Sequence, residues 1–94
     1  MSRIIEWDAA KAARNFRKHG IRFEEAALVF DDPPAASKLE RIGNGEERWQ
    51  TVGLVGGCLL LLVAHTAYVD EVEIIRIVSA RRADPTERKN YEQG

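Results

Sequence analysis

The sequence predicts an α+β domain: a small antiparallel sheet of three to four strands, two N-terminal helices and a short C-terminal helix. Three observations lead there. Apolar residues recur at helical spacing in two early segments, around Ala9–Phe16 and Phe23–Phe30. Later, residues 48–80 hold runs of β-branched and apolar residues punctuated by glycine. The tetrad Asp84-Pro85-Thr86-Glu87 then combines a cap, a proline at the first helical position and a glutamate at the third, which marks a helix start. Strands and helices segregated in this way set the helices on one face of the sheet and leave the other partly open.

Taken in order, Arg3-Ile4-Ile5-Glu6-Trp7 reads as a short strand. Asp8 follows as an N-cap, its carboxylate accepting from free amides of the first turn. Ala9, Ala12, Ala13 and Phe16 form one apolar stripe, and Lys11, Asn15 and Lys18 lie on the other side. Gly20, directly after His19, fits the left-handed position that closes a helix. A second helix is expected from Phe23, Ala26, Ala27 and Phe30, and Asp31-Asp32-Pro33-Pro34 stops it. Ser37 to Ile42 suits a short or edge strand, and Gly43-Asn44-Gly45 a turn. Arg48 to Val55 and Cys58 to Thr66 follow as strands joined at Gly56-Gly57. The second is apolar on both faces, as a central strand should be. A loop around Tyr68 to Glu71 leads to a last strand, Val72 to Ala80.

Ninety-four residues form one domain, 45% hydrophobic and 31% charged, a soluble globular composition. The single cysteine, Cys58, excludes an internal disulfide and lies in an apolar run, which predicts a small buried hydrophobe. The apolar stretch from Val52 to Ala64 falls short of the roughly 20 residues of a membrane span. No signal-peptide pattern follows Met1, so the expected location is the cytoplasm. The net charge of −1 is unevenly spread. Residues 1–20 carry five basic and two acidic residues, residues 21–47 three and seven, and the remainder six of each. Such segregation suits a small body with one cationic and one anionic face.

Candidate chemistry centres on Arg76-Ile77-Val78-Ser79-Ala80-Arg81, an apolar strand ending in a hydroxyl and a guanidinium. A rigid strand aims the planar, permanently charged fork of arginine at phosphate. On a continuous strand Ser79 and Arg81 share a face with Ile75 and Ile77, and Arg76 points away. Lys11, Asn15 and Lys18 make a stripe that serves equally as a solvated helix face or as a phosphate-reading face. His19, at the helix end, is either a dipole partner or a proton carrier. His65, at the end of the central strand, is either structural or an acid or base. Glu46 and Arg48, two apart, are either a surface ion pair or a carboxylate orienting an active arginine. Tyr91 either packs or stacks on a base. Zinc spacings, phosphate-binding glycine loops and nucleophile elbows are absent from the sequence. Two function classes remain: an RNA-cutting enzyme, and a non-catalytic module whose cationic face docks an acidic partner.

Over nearly its whole length the chain resembles the BrnT family of type II toxins. The resemblance rests on Trp7-Asp8, Lys11, Asn15, Lys18-His19-Gly20, Phe23, Glu25-Ala26, Val29-Phe30, Asp32-Pro33, Gly45-Glu46, Arg48, Ile75 to Arg81, Glu87 and Tyr91. It implies a RelE-like fold and a ribonuclease that arrests translation without metal or organic cofactor. It also implies a BrnA-type antitoxin with a ribbon-helix-helix part, through which the complex binds operator DNA. Carried over, Lys18, His19, Glu46, Arg48, Ser79 and Arg81 become the catalytic candidates, and Lys11, Asn15, His65 and Tyr91 the RNA contacts. Two departures stand out. Val78 replaces the isoleucine usual before Ser-Ala-Arg, and the segment Ala67 to Glu73 is acidic, which would either weaken RNA binding nearby or favour a basic antitoxin segment.

Overall fold

Strand β1 (Arg3–Trp7) feeds directly into α1 (Ala9–His19) in the computed structural model, which describes residues 3–94. The Asp8 carboxylate accepts from the Ala10 N–H at 3.2 Å, as a cap should. At the other end Gly20 takes φ 71° and its N–H returns to the Phe16 carbonyl at 2.8 Å. A side chain would be strained there, so the glycine is what lets the helix stop. The expected second helix divides in two. A single turn, α2 (Phe23–Ala26), tightens into a 3₁₀ segment over Ala27–Asp31.

Four longer strands complete the sheet: β2 (Ala36–Gly43), β3 (Glu46–Val55), β4 (Leu59–Asp70) and β5 (Val72–Arg82). Helix α3 (Pro85–Gln93) ends the chain, with Asp84 and Glu87 capping each other's backbone at 2.7 and 2.9 Å. The sheet order is β1-β5-β4-β3-β2, so among the described residues it has five strands rather than three to four. It is also mixed: β1 pairs parallel with β5, Arg3 opposite Glu73 and Trp7 opposite Ile77. Local pattern reveals a strand but not a partner seventy residues away. The expected loop at Tyr68–Glu71 is instead strand up to Asp70, turned by Glu71 alone at φ 64°. Cys58 is exposed at the β3–β4 turn, not buried.

Helices α1 and α2 and the 3₁₀ segment cover one face of the sheet. Helix α3 leans over part of the other, beside Lys38, Gln50, Val52 and Leu62, so the helices do not all share one face as expected. On the first face Phe23, Ala26 and Val29 are sealed against Val55, Leu61, Val63, Ile77 and Ala80. Trp7 meets Phe23 edge-on with ring centroids 6.0 Å apart. Gly53 lets Val29 close onto β3, because a Cβ there would sit 2.7 Å from Val29 Cγ1. Burying the phenylalanine, valine, leucine and isoleucine side chains among them contributes about 1.5–3 kcal/mol each and provides the main stabilisation of so small a sheet.

One irregularity decides what the opposite face carries. The β4–β5 register shifts between Ala64 and His65: Ala64 pairs with Ser79, but His65 pairs with Ile77, leaving Val78 as a bulge. Ile75 and Ile77 therefore face the helices, while Ser79 and Arg81 turn to the other side with Arg76. This corrects the continuous-strand reading, which grouped Ser79 and Arg81 with the isoleucines and set Arg76 apart.

Candidate active site

Where β1 ends at Trp7, α1 takes over the free edge of β5. The Asn15 carboxamide donates to the Ala80 carbonyl at 2.9 Å and accepts from the Ala80 N–H at 3.0 Å. It donates as well to the Ile21 carbonyl at 3.0 Å. Asn15 is buried, and these three hydrogen bonds anchor the helix. The packing face of α1 is thus the Ala12–Asn15 side. Of the apolar stripe expected to pack, Ala12 packs against the core, while Ala9, Ala13 and Phe16 are exposed, Phe16 with the Arg22 guanidinium 4.5 Å above its ring.

That docking brings α1's basic residues alongside the β5 bulge. Lys11, Arg14, Asn15, Lys18 and His19 line an open recess of about 370 Å³ with Val78 and Ser79. Lys11, Arg14 and Lys18 are exposed, and His19 and Ser79 half-buried. Segments sixty residues apart thereby supply three cations, an imidazole and a hydroxyl to one concavity.

A second recess, of about 170 Å³, opens on the same sheet face and is lined by Arg41, Gly43, Asn44, Glu46, Arg48 and Thr66. The register explains it. Arg41 lies opposite Arg48, Arg48 opposite Thr66, and Thr66 opposite Arg76. Like charges placed directly across strands repel. Among the described residues no ion pair relieves Arg41 or Arg48, while Arg76 meets Glu6 at 3.6 Å. Arg48 and Ser79 are separated by two strand spacings and two residues of rise, about 12 Å between Cα atoms. A phosphate lying over Ala64 and Thr66 is within reach of both.

Arg81 extends the face toward α3. Its Nη1 and Nη2 donate to Glu87 Oε1 and Oε2, each at 2.9 Å, and Nη1 also donates to the Arg82 carbonyl at 3.1 Å. The Nε–H and one Nη2 hydrogen stay uncommitted. The hydrogen bonds to Glu87 raise the Arg81 pKa further and hold the Glu87 carboxyl below its ordinary value. Tyr91, farther along α3, donates to Asp32 Oδ2 at 2.7 Å, and the same oxygen accepts from the Leu54 N–H at 2.9 Å. The Asp32 hydrogen bond pushes the Tyr91 pKa up. Tyr91 therefore ties α3 to the edge of β3.

His65 sits apart, on the helix-covered face. Its ring meets Phe30 edge-on at 4.8 Å, and Nε2 is 2.7 Å from the Thr51 hydroxyl, itself 2.7 Å from the Ser37 hydroxyl. Nδ1 donates to the Thr66 carbonyl at 3.3 Å, so Nε2 accepts. Burial lowers its pKa, outweighing the Thr66 carbonyl and Glu73. The structure thus gives His65 a role inside the fold.

Of the candidates named from sequence, Lys11, Lys18, His19 and Ser79 meet in one recess, and Glu46 and Arg48 in another on the same face. Arg81 flanks them on the Ser79 side, and Asn15, His65 and Tyr91 hold the scaffold. Sequence reasoning passed over Arg14, Arg41 and Thr66. The i, i+3 spacing of Lys11 and Arg14 was a readable signal, whereas Arg41 and Thr66 depend on strand register.

A small α+β domain with cationic recesses around a bulged strand has the parts of a phosphodiester-cleaving toxin. The family model for the ribonuclease toxin BrnT of type II toxin-antitoxin systems matches residues 7–87, and the chain belongs to that family. The crystal structure of the Brucella abortus ribonuclease toxin BrnT superimposes with a TM-score of 0.60 at 22% identity. The match covers 89% of this chain and 99% of that one. At that identity the likeness speaks for the fold. No curated protein matches the chain. Among the described residues no helix is long and apolar enough to cross a membrane.

Proposed function

We propose that this ribonuclease toxin cuts RNA in the cytoplasm, without a metal, by internal transesterification. RNA lies across the open sheet face with the scissile phosphate near Ser79. The 2′-oxygen attacks phosphorus and gives up its proton to a base. The bond to the 5′-oxygen breaks as that oxygen takes a proton from an acid. His19 serves in one of these proton transfers. Lys18 and the uncommitted N–H groups of Arg81 offset charge on the phosphorane oxygens, and Ser79 donates to one of them. Arg48 grips the phosphate from the far side and Glu46 orients it. Lys11 and Arg14 bind the flanking backbone.

The single observation behind this reading is the recess that Lys18, His19 and Ser79 line together. Neutralisation falls to a BrnA-type ribbon-helix-helix antitoxin, which carries the complex to operator DNA. Purified toxin incubated with RNA in excess chelator should yield fragments with 2′,3′-cyclic phosphate ends. His19→Ala and Ser79→Ala should slow cleavage about a hundredfold or more. RNA left intact by the wild type in chelator would overturn the metal-free reading.

A further inference from the structure

The two long hairpins, β2–β3 and β4–β5, run on beyond the helical layer. Among the described residues Phe30 over His65 is the last cover on that face. Past it the same side of the sheet presents Leu39, Ile42, Trp49, Ala67 and Val69, with Leu39 40%, Ile42 67% and Val69 68% exposed. Trp49 and Val69 help to line a recess of about 360 Å³, bordered by Glu47 and Glu73. Arg3 neutralises Glu73 at 2.8 Å. Among the described residues Glu47, Asp70 and Glu71 are in no ion pair. An uncovered apolar sheet surface with an aromatic anchor and an acidic rim is thus built into a 94-residue chain.

We propose that this surface docks the antitoxin, through an amphipathic segment that sets apolar side chains on Trp49 and Val69 and basic ones against Glu47, Asp70 and Glu71. The assignment rests on the toxin reading, since a type II system supplies a protein partner. RNA does not fit, because carboxylates repel its phosphates and aliphatic groups offer it nothing. A second copy of this chain does not fit either: a two-fold contact sets each acidic rim against its own copy. The surface lies on the opposite side of the sheet from Arg48, Ser79 and Arg81, so this segment holds the antitoxin without itself filling the cleavage site.

Val69→Arg and Glu47→Lys, both at exposed positions, test this by titration calorimetry against the antitoxin encoded in the same operon. Each should weaken binding at least a hundredfold while RNA cleavage by the free toxin stays within threefold of wild type. Arg48→Ala should do the reverse. Antitoxin affinity within threefold of wild type for both surface variants overturns the proposal. So does a wild-type dimer that Val69→Arg converts to monomers with antitoxin affinity intact, which makes a second copy the occupant. Wild-type toxin that binds antitoxin at this surface but leaves RNA whole would sink the nuclease reading and leave the docking surface standing.

Discussion

The Asn15 carboxamide pairs with the backbone of Ala80 as a neighbouring strand would, donating at 2.9 Å and accepting at 3.0 Å. It replaces β1 along the part of β5 that β1 is too short to reach, and so fixes the distance between the α1 basic residues and Ser79. Asn15→Ala strands the Ala80 N–H and two carbonyls in the interior, where each unpaired group costs about 1–3 kcal/mol. The expected loss is about 2–4 kcal/mol of unfolding free energy, read from urea denaturation. Asn15→Asp should be no better, because a carboxylate cannot donate to the Ala80 and Ile21 carbonyls. A stability change below about 0.5 kcal/mol with weakened RNA binding would return Asn15 to the RNA surface.

What the sequence disclosed, and what it withheld, divides along local and non-local lines. Caps and stops depend on neighbours only, so Asp8, Gly20 and the Asp84–Glu87 pair were legible from residue type and spacing. The recess joining Lys18 and His19 to Ser79 was foreshadowed by those same residues standing out from their surroundings. The anchoring role of Asn15 was not legible, because a polar residue in a helix suggests solvent, and here its partner is a sheet edge rather than a side chain. The bulge at Val78 carries no residue signature, yet it alone moves Arg76 onto the face with Ser79 and Arg81. The opposition of Arg41 to Arg48 follows from a second register shift, in β2 between Leu39 and Arg41.

Arg41 and Arg48 lie directly across two strands with neither charge offset by an ion pair. Such a pair costs stability, by roughly 0.2–1 kcal/mol on the cross-strand scale, unless an anion occupies the space between. Arg41→Ala should therefore leave the free protein equally or slightly more stable. It should weaken RNA binding and reduce the slope of log affinity against log salt by about 0.7, the value of one single-strand phosphate contact. Fluorescence titration at several salt concentrations measures both affinity and slope. An unchanged slope would remove Arg41 from the RNA path.

Glu87 caps α3 and grips Arg81 with the same carboxylate. Its folded pKa lies below the ordinary glutamate value, chiefly through the Arg81 hydrogen bonds. The folded state thus holds the charged form more tightly than the unfolded chain does. The added stability is present above the unfolded value, near 4.5, and is lost as pH falls through the lower folded value. With Arg81's side chain 39% exposed, solvent screening limits the contribution to about 1 kcal/mol. Glu87→Gln should be less stable than wild type at pH 7 by about that amount, and the gap should narrow steadily as the pH falls below 4.5. A gap that persists in acid would assign the loss to packing of α3.

His65 governs a separate, higher pH window. Burial under Phe30 lowers its pKa below the ordinary 6.5, and its neutral ring accepts from Thr51 while donating to the Thr66 carbonyl. On acidification the unfolded chain takes up the proton first, because its imidazole retains the ordinary value. Between that value and the folded one the unfolded state binds more protons, so stability falls as pH drops, with a slope of at most about 1.4 kcal/mol per unit. A charged ring would also turn Nε2 into a donor, forcing the Thr51 hydroxyl to reverse toward Ser37. Urea unfolding of the wild type at pH 7, 6 and 5 should show this decline. His65→Gln, less stable at pH 7 but without a titrating ring, should lack it, while His19→Gln should keep it. If His65→Gln declines as steeply as wild type, the proton is taken up elsewhere and the Ser37–Thr51–His65 chain is not the acid-sensitive part of the fold.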